Sequence, residues 1–312
     1  MKKKSFLLFL TIVAVFFITD RAVYLMLHRI EKEVFTGQSV GKANLFNKVK
    51  DSVELLVMGS SRAARHVDPD LFPLSGYNMG MDGTHLGYAT ALLSSLNRKG
   101  QTILVHVDHH EVFNADYMGE DMLALLNESM DSEEMEGFIN EYYPEDILLS
   151  KMTNCYVYNG KVLGMFKNAF MDSGVSKPTN GFSPLTPSAQ QKQTFEQILE
   201  KEGITQNIEM PDTLVVNEKF ESMVDFAIET AKRNNSKLIF FTSPSLNKVK
   251  KGARQRTTDF FNSKGLLYLD DLDFFKEFDI DYWKDRSHMS KLGAEIYSTK
   301  LEKDISPFIE VH

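Results

Sequence analysis

The chain has 312 residues, enough for a large core, and its 43% hydrophobic and 25% charged residues are ordinary for a globular protein. A net charge of −8 argues against non-specific binding to nucleic acid. One cysteine, Cys155, excludes an internal disulfide, a thiolate metal cluster and a CxxC redox pair, and reads as a packed free thiol.

Lys2, Lys3 and Lys4 precede Phe6 to Thr19, fourteen residues without a charge. A basic stretch followed by an apolar one is the pattern of an export signal. Fourteen residues fall short of the ~20 a full span takes. However, Ala22 to Leu27 is apolar again, and Asp20 and Arg21 can snorkel at a membrane face. No small-x-small cleavage site stands near Thr19, so residues 1–35 are expected to form an uncleaved signal anchor running into a stalk helix, with a removed peptide as the alternative. The lysines then stay cytoplasmic. That predicts a single-pass inner-membrane protein with its domain on the extracytoplasmic, periplasmic side. Residues 36–50 read as a polar linker.

Val53 to Met58 is a short apolar run that ends on Gly59-Ser60-Ser61. It reads as a buried parallel strand and the sharp turn after it, where ligands bind in open α/β sheets. Tyr77 to Thr84 is a short strand opening into a glycine-bearing loop. His85 to Asn97 is a helix stopping at Gly100, and Thr102 to Val107 is a third strand running into Asp108-His109-His110-Glu111. Periodicity weakens from 112 to about 210, which reads as an insertion with a helix and turns in its acidic part (128–145) and a loop at 178–187. Regular structure returns with a helix over 216–234, strands at 237–242 and 266–269, a helix over 252–263 and a terminal helix over 289–303. The alternation predicts a flavodoxin-like three-layer sandwich of about five parallel strands in one α/β domain, 51–312.

Asp285-Arg286-Ser287-His288 lies directly before that last helix. A serine hydroxyl attacks well only when a base takes its proton, and a carboxylate can orient the histidine that does so. Gly59-x-Ser61 at the first strand's end and Asp285-x-x-His288 before the last helix resemble the SGNH/GDSL hydrolase superfamily, and Gly-Ser-Ser-Arg resembles its membrane-anchored bacterial branches. The resemblance covers about residues 50–115 and 235–305. It implies Ser61 as nucleophile, His288 as base and Asp285 as its orienting carboxylate. Asn78 to Gly83 is similar to the second block, whose glycine N–H lines the oxyanion hole together with the N–H of Ser61. The third block departs, since His110 stands where the family has asparagine. An imidazole N–H can still donate, and losing one such donor costs about 3–4 kcal/mol of transition-state stabilisation.

Other readings stay open. His106, Asp108 and His110 alternate along a strand, with His109 and Glu111 beside them, so metal ligation, a substrate role or polar packing all fit; no metal is expected. Asn78, Arg62, His109 and Trp283 are candidate substrate-binding residues, although Arg62 can instead pair with Asp82, and Ser60 can cap the following helix. Ser243-Pro244 reads as a strand terminator. The resemblance implies a serine-dependent esterase acting on an ester-bearing envelope or exported glycan, or on a small acyl ester, without a cofactor. An O-acyltransferase using the same residues, or a catalytically inactive binding protein of an envelope acylation or export complex, is the alternative.

Overall fold

The computed structural model describes residues 2–170 and 180–309. Its first half runs α1 (Lys2–Lys32), α2 (Lys42–Val49), β1 (Leu55–Met58), α3 (Ser61–His66), β2 (Gly76–Asn78), α4 (Leu86–Ser94), β3 (Thr102–His106) and α5 (His109–Phe113). Four helices follow: α6 (Leu126–Ser129), α7 (Glu133–Tyr142), α8 (Pro144–Met152) and α9 (Val162–Phe170). The chain closes with α10 (Ala189–Glu202), α11 (Glu218–Arg233), β4 (Lys237–Thr242), α12 (Lys251–Ser263), β5 (Leu267–Asp270) and α13 (Lys291–Ile305). The loop expected at 178–187 is irregular from Asn180 on, and its first two residues lie outside the described ones, as do the last three of the expected 51–312 domain.

The chain divides into two compact units: Phe46–Met122 with Pro178–His312, and Met1–Leu45 with Leu123–Lys177. The first holds five parallel strands in the order 2-1-3-4-5. β1 lies inside the sheet, between β2 and β3, and is fully buried, as a strand covered on both faces must be. Alternate residues explain the two layers of helix. Leu55 and Val57 point with Leu104, Ile239 and Phe241 into a core closed by Ala294, Tyr297 and Leu301 of α13. On the opposite face Phe240 stacks on Phe261 of α12, at 4.6 Å between ring centroids, while α4 packs on β3 and α11 on β4.

In the second unit α1 is one continuous helix, where the sequence suggests an anchor and a separate stalk. It is the one described helix long and apolar enough to cross a membrane. Its second half packs against a 3-10 segment (Asn154–Tyr158) and α9. The 112–210 insertion is thus shared: 123–177 clusters with α1, and 178–210 with the sheet. The linker expected over 36–50 contains α2, because Ala43 and Phe46, three apart, are both buried on one side of it.

Candidate active site

All the residues in question belong to the sheet-bearing unit. β1 ends at Met58, and Gly59 has φ of +124°, a conformation that side chains resist. A Cβ there would lie 2.7 Å from the His106 carbonyl oxygen, so the turn presses on the end of β3. Ser60 caps α3, accepting the Arg62 N–H at 3.2 Å, as its position suggests. Ser61 is therefore the first helical residue, partly exposed, with its Oγ 2.8 Å from His288 Nε2.

His288 Nδ1 lies 3.0 Å from each oxygen of Asp285. A carboxylate accepts only, so it fixes the proton on Nδ1 and leaves Nε2 free to accept from the serine. Asp285 Oδ1 also accepts the backbone N–H groups of Ser287 (2.8 Å) and His288 (2.9 Å). Burial would raise this carboxyl, but the bonds from His288 and those N–H groups outweigh it and hold it below its ordinary value.

The second loop is fastened to the turn after β1. Gly59 O accepts the Met81 N–H at 3.0 Å and the Thr84 hydroxyl at 3.1 Å. Gly83 between them has φ of +75° and open space where a Cβ would stand. Among the described residues neither Ser61 N–H nor Gly83 N–H donates to a protein acceptor.

Four candidate contact residues are occupied by the fold itself. Asn78 is fully buried; its amide donates to Ala63 O (2.8 Å) and Val67 O (2.7 Å), and its oxygen accepts Gly80 N–H (2.9 Å). It clamps β2 to α3, with no group left for a substrate. Arg62 is buried and bonds the Asp108 carboxylate and the Ser243 and Pro244 carbonyl oxygens, tying α3 to the ends of β3 and β4. The partner of Asp82 is instead Arg65, at 2.5 Å. His109 is buried with Nε2 3.3 Å from Asp270. Trp283 is 1% exposed and packs edge-on against Phe275, so its indole is core and no sugar platform.

His110, by contrast, is exposed and makes no hydrogen bond among the described residues, so nothing in the protein holds it as an oxyanion donor. Nor do its neighbours form a ligand set. His106 Nδ1 faces Ser60 Oγ at 3.1 Å, Glu111 faces His85 Nδ1 at 2.5 Å, and among the described residues no three such side chains converge as a metal would require.

Two histidines have roles that sequence reasoning missed. His66 is enclosed, with Nε2 accepting the Met289 N–H at 3.0 Å and Nδ1 facing Ser243 Oγ at 2.8 Å. It ties the residue after His288 to the helix that carries Ser61. Burial, then the charge of Arg62, pushes it well below its usual range. Its place five residues after the serine was the one available signal. His85, two residues past Gly83, faces Glu111 at 2.5 Å: burial opposes its charge, but Glu111, Asp121 and Asp108 raise it to about 9. Compared with models of known protein families and with curated proteins, the chain matches none.

Proposed function

We propose that this protein is a membrane-anchored, extracytoplasmic serine ester hydrolase of SGNH type, with Ser61 as nucleophile. The observation that carries the reading is the Ser61–His288–Asp285 chain of contacts, drawn from two segments 227 residues apart. The 2-1-3-4-5 order supports a flavodoxin-like architecture, in which ligands sit at the carboxyl ends of β1 and β3, where this serine stands.

Ser61 Oγ attacks the ester carbonyl while His288 Nε2 takes its proton. The imidazolium, steadied by Asp285, then gives that proton to the departing alkoxide. Water repeats the sequence on the acyl-serine and restores Ser61. General acid–base transfer of this kind contributes about 10²–10⁴-fold. The free N–H groups of Ser61 and Gly83 receive the oxyanion, each worth about 3–4 kcal/mol. The chemistry asks for no cofactor. The apolar α1 and the resemblance to exported hydrolases favour an O-acyl or O-acetyl ester on a cell-envelope or exported glycan, with the protein single-pass in the inner membrane and its catalytic unit periplasmic. The unheld His110 favours a second reading, a slow or inactive SGNH-like protein that binds rather than cleaves.

The test is labelling of the full chain with a fluorophosphonate, comparing wild type with Ser61→Ala and His288→Ala. Wild-type labelling lost in both variants, with thermal unfolding unchanged, is the expected result. Absence of wild-type labelling moves the assignment to the binding protein, and labelling that survives Ser61→Ala identifies another nucleophile.

A further inference from the structure

The unit that contains α1 carries an apolar surface that the proposed chemistry does not use. On α8, Leu148, Leu149 and Met152 are 59%, 44% and 54% exposed, while Ile147 and Ser150 turn inward. Three large apolar side chains on one short helix are a costly surface to leave in water.

Their depth along α1 can be read from hydrogen bonds. Asp20 is buried and accepts the N–H groups of Asn154 (2.9 Å) and Cys155 (3.1 Å), and the Cys155 thiol donates to Asp20 O at 3.2 Å. The end of α8, two residues before Asn154, is therefore level with Asp20. The Tyr156 hydroxyl donates to Asp146 at 2.5 Å, so α8 folds back beside the 3-10 segment. That segment climbs α1 to Glu31, which accepts from the Tyr158 hydroxyl at 2.6 Å.

Asp20 does not mark the end of the apolar surface of α1. Exposed apolar side chains run from Phe6 to Ile18 and resume at Val23, Leu25 and Met26. From Phe6 to Met26 the helix rises about 31 Å at 1.5 Å per residue, close to the ~30 Å of a bilayer's hydrocarbon core. Asp20 lies inside that length with its carboxylate accepting two backbone N–H groups, and the exposed Arg21 beside it has a side chain long enough to snorkel to the membrane face. The exposed faces of α8 and of α1 from Val23 to Met26 thus occupy one level, at the end of the lipid-facing run.

We infer that α8 is a second membrane contact, with Leu148, Leu149 and Met152 seated in the boundary between headgroups and acyl chains of the leaflet from which α1 emerges. This rests on the reading of α1 as a span, and its occupant is lipid because the surface continues a lipid-facing one. An α1 bonded to the 3-10 segment, against which α8 packs with its apolar face in lipid, has its rotation about the helix axis fixed, which a single span does not provide.

Nitroxide spin labels on the full chain in phosphatidylcholine–phosphatidylglycerol vesicles test this, in a Cys155→Ser background whose hydroxyl keeps a donor for Asp20 O. Labels replace Phe9, Leu149, Met152 or Leu163, and the readout is collision with oxygen relative to a water-soluble nickel chelate. Leu163 is the control. It is 86% exposed on the same unit, but Lys161 beside it bonds Asn127, which bonds Glu31. That places it roughly 16 Å beyond Asp20 along α1. The expected result is a severalfold higher oxygen preference at Phe9, Met152 and Leu149 than at Leu163, decreasing in that order. Water-like behaviour at 149 and 152 with Phe9 in lipid overturns the inference. Protection of 149 and 152 from both reagents also overturns it, in favour of a protein partner. Water-like behaviour at Phe9 as well overturns the span itself.

Discussion

His66 and His106 are enclosed imidazoles beside the turn after β1, one bonded to the backbone of Met289, next to His288, and the other to Ser60. Both stay neutral. Burial lowers His106 to about 3, with Arg62 assisting against the pull of Asp108, and His66 moves in the same direction. In the unfolded chain each takes a proton near pH 6.5, so below that value the unfolded state binds more protons than the folded one. The stability they allow is complete above about pH 6.5 and is lost as pH falls towards the folded value, at about 1.4 kcal/mol per pH unit for each histidine. His106→Asn keeps a polar partner for Ser60 and removes one of these titrations. Denaturant unfolding of wild type and variant between about pH 6 and pH 4 should differ in slope by about one proton. Parallel curves would mean that His106 is charged in the folded protein and that the turn rests on something else.

At the scale of elements, the turn after β1 and the loop after β2 use glycine for different reasons. Gly59 has its φ of +124° and no room, since a Cβ meets the His106 carbonyl oxygen and Cβ within 3 Å. Gly83 has φ of +75° and open space. Gly59→Ala is therefore expected to destabilise by roughly 3 kcal/mol or more, as strain and overpacking add. Gly83→Ala is expected to cost only about 1–2 kcal/mol, the backbone strain alone. Thermal unfolding of both variants checks the order, and equal losses would refute the account of the β1–β3 contact. These same elements explain what was legible beforehand. β1, β3 and β4 announce themselves because a strand buried on both faces must be continuously apolar, and Lys237–Thr242 falls where the sequence places it. Ser61, Asp285 and His288 are legible as motifs at strand and helix ends. Which way the polar residues around them turn is not. Asn78, Arg62 and His109 look like substrate contacts in sequence, yet each satisfies the backbone or a buried charge, a role set by partners far away in the chain. Residues 123–170 show little periodicity over a long window because their helices are of ten residues or fewer and pack on one another and on the 3-10 segment, which with α9 meets α1.

The whole molecule gives α1 two roles in succession. From Phe6 to Ile18 its side chains are mostly exposed and apolar, and beyond it Asp20, Leu27 and Glu31 are buried in the unit that also holds 123–170. Glu31 accepts from Tyr158 and Asn127, and lies 3.2 Å from His28 Nδ1. Losing the first half removes only exposed, largely apolar surface. Losing the second leaves the Tyr158 hydroxyl without its acceptor, at about 1–3 kcal/mol, and the Asn127 amide with Glu128 alone. It also removes the apolar burial of Leu27, worth about 1.5–3 kcal/mol. A chain beginning at Ile18 should therefore keep residues 123–170 resistant to limited proteolysis, whereas one beginning at Glu33 should be cut there rapidly. Mass spectrometry of the first fragments distinguishes the two. Equal resistance would mean that the second half of α1 adds nothing to the fold of its unit. Early cuts within 123–170 only for the shorter chain would make the second half of α1 a structural part of its unit, so that a cut at the helix's middle and a cut at its end have opposite consequences.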